Sequence, residues 1–351
     1  MTPALKKYVS EGGTLGSLGK RPRKRPAGEP FPCDTADVLS RMTGALAKRL
    51  SRIGVRNVVI GISGGLDSAL CLLVAVRAFK KLSLPAAGIH AYTMPGFGTT
   101  KRTKSNAVKL CEGLGVKVET ISIARTCRMH LKDIGHDGKT PDAAYENAQA
   151  RMRTLVLMDK ANMVGGIVLG TGDLSEIALG WCTYNGDHMS MFGVNAGVPK
   201  TLVKYIVRWY AEEKAGSPDG PAAQALFDIL DTPVSPELLP ARADGTIAQV
   251  TEDKVGPYEL HDFFLYHFLR RGASKEKIAF LANIAFGGAY DEATVAKWLD
   301  VFFARFRQQQ FKRSCMPDGP KVGSINLSPR GDWRMPSDAC SALWLKECDE
   351  L

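Results

Sequence analysis

Val58-Val59-Ile60-Gly61-Ile62 is an apolar run of strand character, and it leads straight into Ser63-Gly64-Gly65-Leu66-Asp67-Ser68. An amphipathic stretch, Ala69 to Leu82, follows at once. The segment reads strand, glycine turn, helix, which is the first half of a βαβ unit. Two adjacent glycines let the backbone aim its N–H groups at one point with no Cβ in the way. The helix start adds free N–H donors and the positive end of a dipole. Together these make a cradle for a phosphate anion.

The loop also excludes two common phosphate sites. No Gly-Lys-Ser/Thr follows the turn, so it is not a Walker A loop. It is not a Gly-x-Gly-x-x-Gly dinucleotide loop either. Instead Asp67 sits in the first helical turn, beside the anion site. A carboxylate repels phosphate unless a cation bridges them, and Mg2+ binds through one or two carboxylates plus phosphates. The bland alternative is an aspartate that merely favours the helix dipole.

Around this unit, strands are expected at 57–62, 87–94, 117–123 and 166–171, and helices at 36–53, 67–82, 100–114 and 143–164. Such alternation predicts an α/β fold, a doubly wound parallel sheet with helices on both faces. Ligands in these folds bind at the carboxyl ends of the strands. The turn at 63–65, Thr93-Met94-Pro95 and Thr171-Gly172-Asp173 all fall there. From about 200 the chain reads as a helical C-terminal extension, with helices at 200–212, 221–230, 259–271 and 292–311 and a loop over 231–257. Its aromatic stripes, among them Phe263, Phe264, Phe268, Phe302, Phe303 and Phe306, are expected in core or in a subunit interface.

Charge is uneven. Residues 1–30 carry seven Lys and Arg against two Glu, half of the net charge of +10. Residues 1–34 read as a basic flexible leader, since such composition cannot bury enough apolar surface to order itself. The charged run Lys20–Arg25 also fits a nucleic-acid tail, but nucleic acid is not the expected partner. The eight cysteines form no Cys-x-x-Cys pair, so zinc and redox motifs are not indicated and reduced thiols are the default. The longest wholly apolar run, Ala69 to Val76, falls short of the roughly 20 residues a membrane span needs. No membrane association and a cytoplasmic location are therefore expected.

The block Leu169 to Lys200 narrows the reaction. Glu176, just past a strand end, fits a second metal carboxylate facing Asp67. Asp173-Leu174-Ser175-Glu176 fits a helix capping box equally well. The hexapeptide 63–68 resembles the SGGxDS signature of the PP-loop ATP pyrophosphatases, which share an adenine nucleotide alpha hydrolase-like fold and cleave ATP between its α and β phosphates. Gly170-Thr171, Glu176, Gly180-Trp181, Thr183, Gly186-Asp187 and Lys200-Thr201 resemble the NAD+ synthetase family. So do Tyr145 to Arg153, Asp231 to Leu238, Thr251-Glu252-Asp253, and Phe311 to Arg334. The likeness runs over residues 35–340, leaving 341–351 as a tail. Its C-terminal stretch is similar to the end of the large glutamine-dependent bacterial enzymes.

The resemblance implies a ligase that forms a C–N bond. ATP adenylates the nicotinate carboxylate of nicotinic acid adenine dinucleotide, pyrophosphate leaves, and ammonia displaces AMP to give NAD+. It implies Asp67, Glu176 and Lys200 as catalytic groups, with Mg2+ on Asp67 and Glu176. Ser63, Gly64, Gly65, Ser68, Met94, Thr171 and Ser235 would bind ATP or pyrophosphate. Asn147, Arg151, Asp187, Lys312, Asp332 and Arg334 would bind the dinucleotide. By their residues alone, Lys200 fits a snorkelling surface lysine, and Asp187, Lys312, Asp332 and Arg334 fit surface ion pairs. Two features depart from the family: Met152 stands where a charged residue is usual, and the loop 183–187 is one residue short. Only 62 residues precede Ser63, too few for a glutaminase domain. The expected donor is therefore ammonia, with glutamine used only through a separate glutaminase partner, and the expected assembly is a homodimer. The competing expectations are another PP-loop enzyme such as a tRNA-modifying thiolase, or a nucleotide-binding subunit that depends on a partner glutaminase.

Overall fold

The computed structural model describes residues 35–217, 220–232, 238–239 and 251–339. The expected leader, the tail, Ser235 and most of the 231–257 loop lie outside the described residues. The elements run α1 (Thr35–Ile53), β1 (Val58–Gly61), α2 (Leu66–Lys81), β2 (Ile89–Thr93), α3 (Lys101–Gly113), β3 (Val118–Thr120), α4 (Ala124–Asp133), α5 (Ala143–Val164) and β4 (Ile167–Gly170). Then come α6 (Leu174–Leu179), β5 (Phe192–Gly193), α7 (Lys200–Lys214) and α8 (Gly220–Leu230). Last are α9 (Thr251–Val255), α10 (Tyr258–Leu265), α11 (Lys275–Phe286), α12 (Glu292–Gln308) and α13 (Gln310–Ser314).

The sheet is wholly parallel, in the order β3-β2-β1-β4-β5. Strand period explains its two buried faces. Val58 and Ile60 of β1, with Ile167 and Leu169 of β4, join α1, α2, α3, α7 and α8 in one core. Val59 and Val168 point the other way, into a core with Ala161 of α5 and Cys127 of α4. A sheet buried on both sides needs near-continuous apolar strands, which is why these strands do not alternate in polarity.

The chain leaves β1 toward β2 on one side and reaches β4 on the other. The order therefore reverses between β1 and β4, and a crevice opens at their carboxyl ends. A separate helical core covers one flank of that crevice. It packs Leu174 and Leu179 of α6 against Phe264 of α10 and Phe302, Phe303 and Phe306 of α12. The aromatic stripes are thus intramolecular core, each fully buried ring contributing roughly 2 kcal/mol.

Four elements escape the sequence reading, β5, α4, α9 and α11, while α6 is legible by its capping box. The expected helix at 259–271 is α10 followed by a π-helical turn at Tyr266–Arg270. The expected helix at 292–311 breaks at Gln309, where α12 ends and α13 begins.

Candidate active site

The glycine turn closes β1 onto α2. Gly64 has φ +86°, and a Cβ there would lie 2.1 Å from the Thr103 carbonyl oxygen. Glycine is obligatory at that position on both counts. Gly65 is different, being the extended N-cap of α2, with its N–H donating to Ser63 Oγ at 3.2 Å. Ser68 donates its hydroxyl to the Gly65 carbonyl at 3.0 Å and lies 3.2 Å from Ser63 Oγ. Both hydroxyls therefore stand at the turn, at the mouth of the crevice.

Across the crevice, β4 ends at Gly170 and α6 begins at Leu174. Asp173 caps α6 by accepting from the Glu176 N–H at 2.8 Å, while Glu176 Oε2 accepts from the Asp173 N–H at 3.2 Å. The capping box is real, yet it uses only one oxygen of Glu176. The other, Oε1, accepts from Lys200 Nζ at 2.9 Å. Glu176 thus caps α6 with one oxygen and turns the other to the Lys200 ammonium.

Lys200 is the centre of the cluster. It begins α7 and is only 4% exposed, so it does not snorkel. Its ammonium lies 2.6 Å from Asp67 Oδ2, 2.9 Å from Asp173 Oδ2 and 2.9 Å from Glu176 Oε1. It also sits over the Tyr258 ring, 5.3 Å from the centroid. Burial alone would lower the Lys200 pKa, but Asp173, Asp67 and Glu176 outweigh it and hold the ammonium well above the ordinary lysine range. Burial, helped by the charge of Asp67, pushes the Glu176 carboxyl up to about 7 even with Lys200 opposing. Asp173, with no exposed surface, is driven upward by the same loss of water.

Asp67, Asp173 and Glu176 bring their oxygens within 4.8 Å of one another. Asp67 Oδ1 is buried with no hydrogen-bond partner among the described residues. One oxygen of each carboxylate already meets Lys200 Nζ; the unpartnered Asp67 Oδ1 beside them is a hard donor of the kind that fits Mg2+. Asp173 is the member that sequence reasoning treated only as a cap.

Other positioning residues were not legible either. Fully buried Asn195, just past β5, donates from Nδ2 to the Asp67 carbonyl at 2.8 Å and to the Thr171 carbonyl at 2.9 Å. One amide thus locks the two loops that face each other. Its only sequence signal was its place in the Leu169–Lys200 block. Buried Gln149 receives the Phe97 N–H at 2.9 Å and donates to the Leu238 carbonyl at 2.8 Å.

A cavity of about 470 Å3 opens beside the cluster. Ser63, Gly64, Gly65, Asp67, Ser68, Met94, Thr171, Glu176, Asn147, Asp187 and Lys312 all line it. Asn147 Oδ1 accepts from Thr183 Oγ1 at 2.7 Å, and Asp187 Oδ1 accepts from the Thr183 N–H at 2.7 Å. Lys312 donates to the carbonyls of Gly180 and Cys182 at 2.8 and 2.7 Å. Arg151, Asp332 and Arg334 are not part of the lining. Arg151 donates to the Tyr184 carbonyl at 3.3 Å. Asp332 accepts from Lys321 Nζ and from the Asn326 N–H at 2.9 Å each, the surface ion pair that its residues alone suggested.

The chain is similar to known proteins over most of its length. A family model described as NAD synthase matches residues 38–286. The chain is 44% identical over 339 residues to the glutamine-dependent NAD(+) synthetase of Mycobacterium tuberculosis, covering 90% of this chain and 49% of that protein. The chain thus spans about half the length of the curated relatives it matches. Among solved structures, a glutamine-dependent NAD(+) synthetase from Cytophaga hutchinsonii superposes with a TM-score of 0.73 at 17% identity, covering 90% of this chain and 56% of that one. At that identity the likeness speaks for the fold. The NMN synthetase of Francisella tularensis superposes with a TM-score of 0.54 at 25% identity, over 72% of this chain and 94% of that one.

Proposed function

The chain belongs to the NAD synthase family, and from that premise we propose that it catalyses ATP-dependent amidation of nicotinic acid adenine dinucleotide to NAD+. The observation that carries the reading is the meeting of Asp67, from the first turn of α2, and Glu176, from the first turn of α6, at the buried Lys200 ammonium beside a cavity lined by the glycine turn. The nicotinate carboxylate attacks the α-phosphate, pyrophosphate leaves, and an acyl-adenylate forms. Ammonia then attacks the acyl carbon, loses a proton, and expels AMP. A carboxylate is a poor electrophile, so the first step supplies the leaving group for the second.

The chain's own groups suit positioning and charge neutralisation. The Gly64-Gly65 turn with the Ser63 and Ser68 hydroxyls suits the pyrophosphate. Met94 and Thr171 suit the rest of ATP, and Ser235 belongs to the same reading. Asp67 and Glu176 would hold Mg2+, with Asp173 beside them. When bound, the ion neutralises charge on the phosphates. Lys200 supplies a fixed positive charge to the same place. Asn147, Asp187 and Lys312 line the side of the cavity that suits the nicotinate end. Arg151, Asp332 and Arg334 are candidates for the outer part of the dinucleotide.

The nitrogen donor in this reading is ammonia. Glutamine hydrolysis calls for an activated thiolate. Among the described residues, burial raises the thiols of Cys71, Cys111, Cys127 and Cys182, while the half-buried Cys315 thiol lies 3.5 Å from His188 Nε2. No helix of the described residues is long and apolar enough to cross a membrane, and the reading includes action in the cytoplasm, as a homodimer. The test is turnover by the purified chain with ATP, Mg2+ and the dinucleotide. NAD+ is expected with ammonium and not with glutamine alone. Nicotinic acid mononucleotide in place of the dinucleotide is expected to be the poorer acceptor. Equal rates with glutamine would overturn the donor assignment, and preference for the mononucleotide would overturn the substrate assignment.

A further inference from the structure

Glu176 and Lys200 lie on different helices, and neither helix start is fixed by its own turn alone. Helix α6 has only six residues, too few to hold its own geometry in water. Helix α7 has Pro199 as its N-cap and no side-chain cap. Yet Glu176 Oε1 and Lys200 Nζ are held at 2.9 Å. The Lys200 N–H to Ser175 Oγ bond at 2.8 Å and the Leu174 N–H to Val198 carbonyl bond at 2.9 Å join the two starts, and a third group spans both.

Asp262, on α10, touches both. Its Oδ1 accepts the hydroxyl of Ser175, the residue before Glu176. Its Oδ2 accepts the N–H of Thr201, the residue after Lys200, at 2.8 Å and the Thr201 hydroxyl at 2.7 Å. The loop closes on itself, because Ser175 Oγ also accepts the Lys200 N–H at 2.8 Å. Ser175 is 1% exposed, so none of this is a solvated surface contact. The clamp leaves both functional side chains free to point at the crevice while their backbones are tied together. Tyr258, four residues before Asp262 on the same helix face, lies against the Lys200 ammonium.

We propose that Asp262 is a positioning residue: by bonding Ser175 and Thr201 at once, it sets Glu176 and Lys200 relative to each other for the adenylation step. The inference rests on the function proposed above. Asp262 touches no cavity-lining group other than through these neighbours, so it acts on rate rather than on substrate affinity. A misplacement of about 1 Å at a reacting cluster costs up to about 100-fold in rate.

Asp262→Ala should lower kcat roughly 10- to 100-fold and leave KM for ATP and for the dinucleotide within about twofold. Asp262→Asn, which keeps an oxygen acceptor for Thr201, should recover part of the loss. Leu46→Ala, in the α1 core far from the crevice, is the control. It should lower the unfolding temperature at least as much as Asp262→Ala and leave kcat unchanged. Hydrogen exchange reads the clamp without relying on turnover: residues 174–179 and 200–203 should exchange faster in Asp262→Ala, while α1 and α2 stay protected. Wild-type kcat in Asp262→Ala would overturn the positioning role, whatever the exchange shows. So would a kcat loss that Leu46→Ala reproduces at equal destabilisation. A wild-type chain that forms no NAD+ overturns the proposed function, and the positioning role with it; the exchange data then decide the clamp alone.

Discussion

At the residue scale, Glu176 carries two jobs with its two oxygens, and the jobs separate on mutation. Glu176→Ala should cut NAD+ formation by roughly 100-fold or more, the scale expected when charge stabilisation is removed from a transition state. It should also lose about 1 kcal/mol of folding stability, the worth of a cap. A steady-state assay and a denaturant melt on one sample measure both; stability loss with turnover intact would leave Glu176 as a cap only. His261 gives a pH signature of the fold itself. Its ring is fully buried in α10, with Nε2 against the Val255 carbonyl, and burial lowers its pKa from 6.5 to about 4. The unfolded chain binds that proton at higher pH than the folded one. Stability is therefore complete above pH 6.5 and falls by roughly 3 kcal/mol as pH drops to 4. His261→Phe should flatten that slope in melts taken between pH 4 and 7, and an unchanged slope would contradict it. Asp67 and Glu176 were legible because each sits at a strand end in a local motif. Asp173 was legible as a cap and not as a third carboxylate, because its second partner, Lys200, arrives from another helix. Asn195 and Asp262 were illegible because their bonds span 128 and 61 residues of sequence.

At the element scale, α6 is the part of the site least able to stand alone, and the C-terminal helices hold it at both ends. Asp262 of α10 fixes its start. Its carboxyl end is met by cations: Arg313 of α13 donates to the carbonyls of Ile177 and Ala178 at 3.2 and 2.8 Å, and Arg305 of α12 to that of Leu179 at 3.0 Å. Arg313 is fully buried, and loss of water lowers its guanidinium to about 9. Arg313→Met keeps volume but leaves the Ile177 and Ala178 carbonyls and that of Phe306 without this donor. It should destabilise the protein by roughly 3 kcal/mol, read as a shift in urea midpoint at constant slope. No shift would show that water replaces the guanidinium. The long strands and helices were readable from apolar runs and helical period. The two-residue β5 and the six-residue α6 are too short to carry a period, and only the local caps of α6 mark it in sequence.

At the scale of the whole molecule, the sheet's reversal between β1 and β4 makes the crevice, and the helical core from α10 onward stiffens one wall of it. Glutamine-dependent relatives are about twice as long as this chain, and the match covers about half of their length. Assembly belongs to this scale too. Leu155 and Met163 are 54% and 76% exposed on one face of α5, apolar area that the homodimer reading would cover. The double change Leu155→Asp with Met163→Asp should halve the mass seen by light scattering; an unchanged mass would move the interface elsewhere. The proposed reaction turns on activation of the carboxylate as an adenylate. Nicotinic acid adenine dinucleotide labelled with 18O in both carboxylate oxygens tests it in one turnover with ATP and ammonium. The account predicts one labelled oxygen in the phosphate of AMP, one in the carboxamide of NAD+, and none in pyrophosphate. Label in inorganic phosphate, with ADP as the nucleotide product, would contradict it.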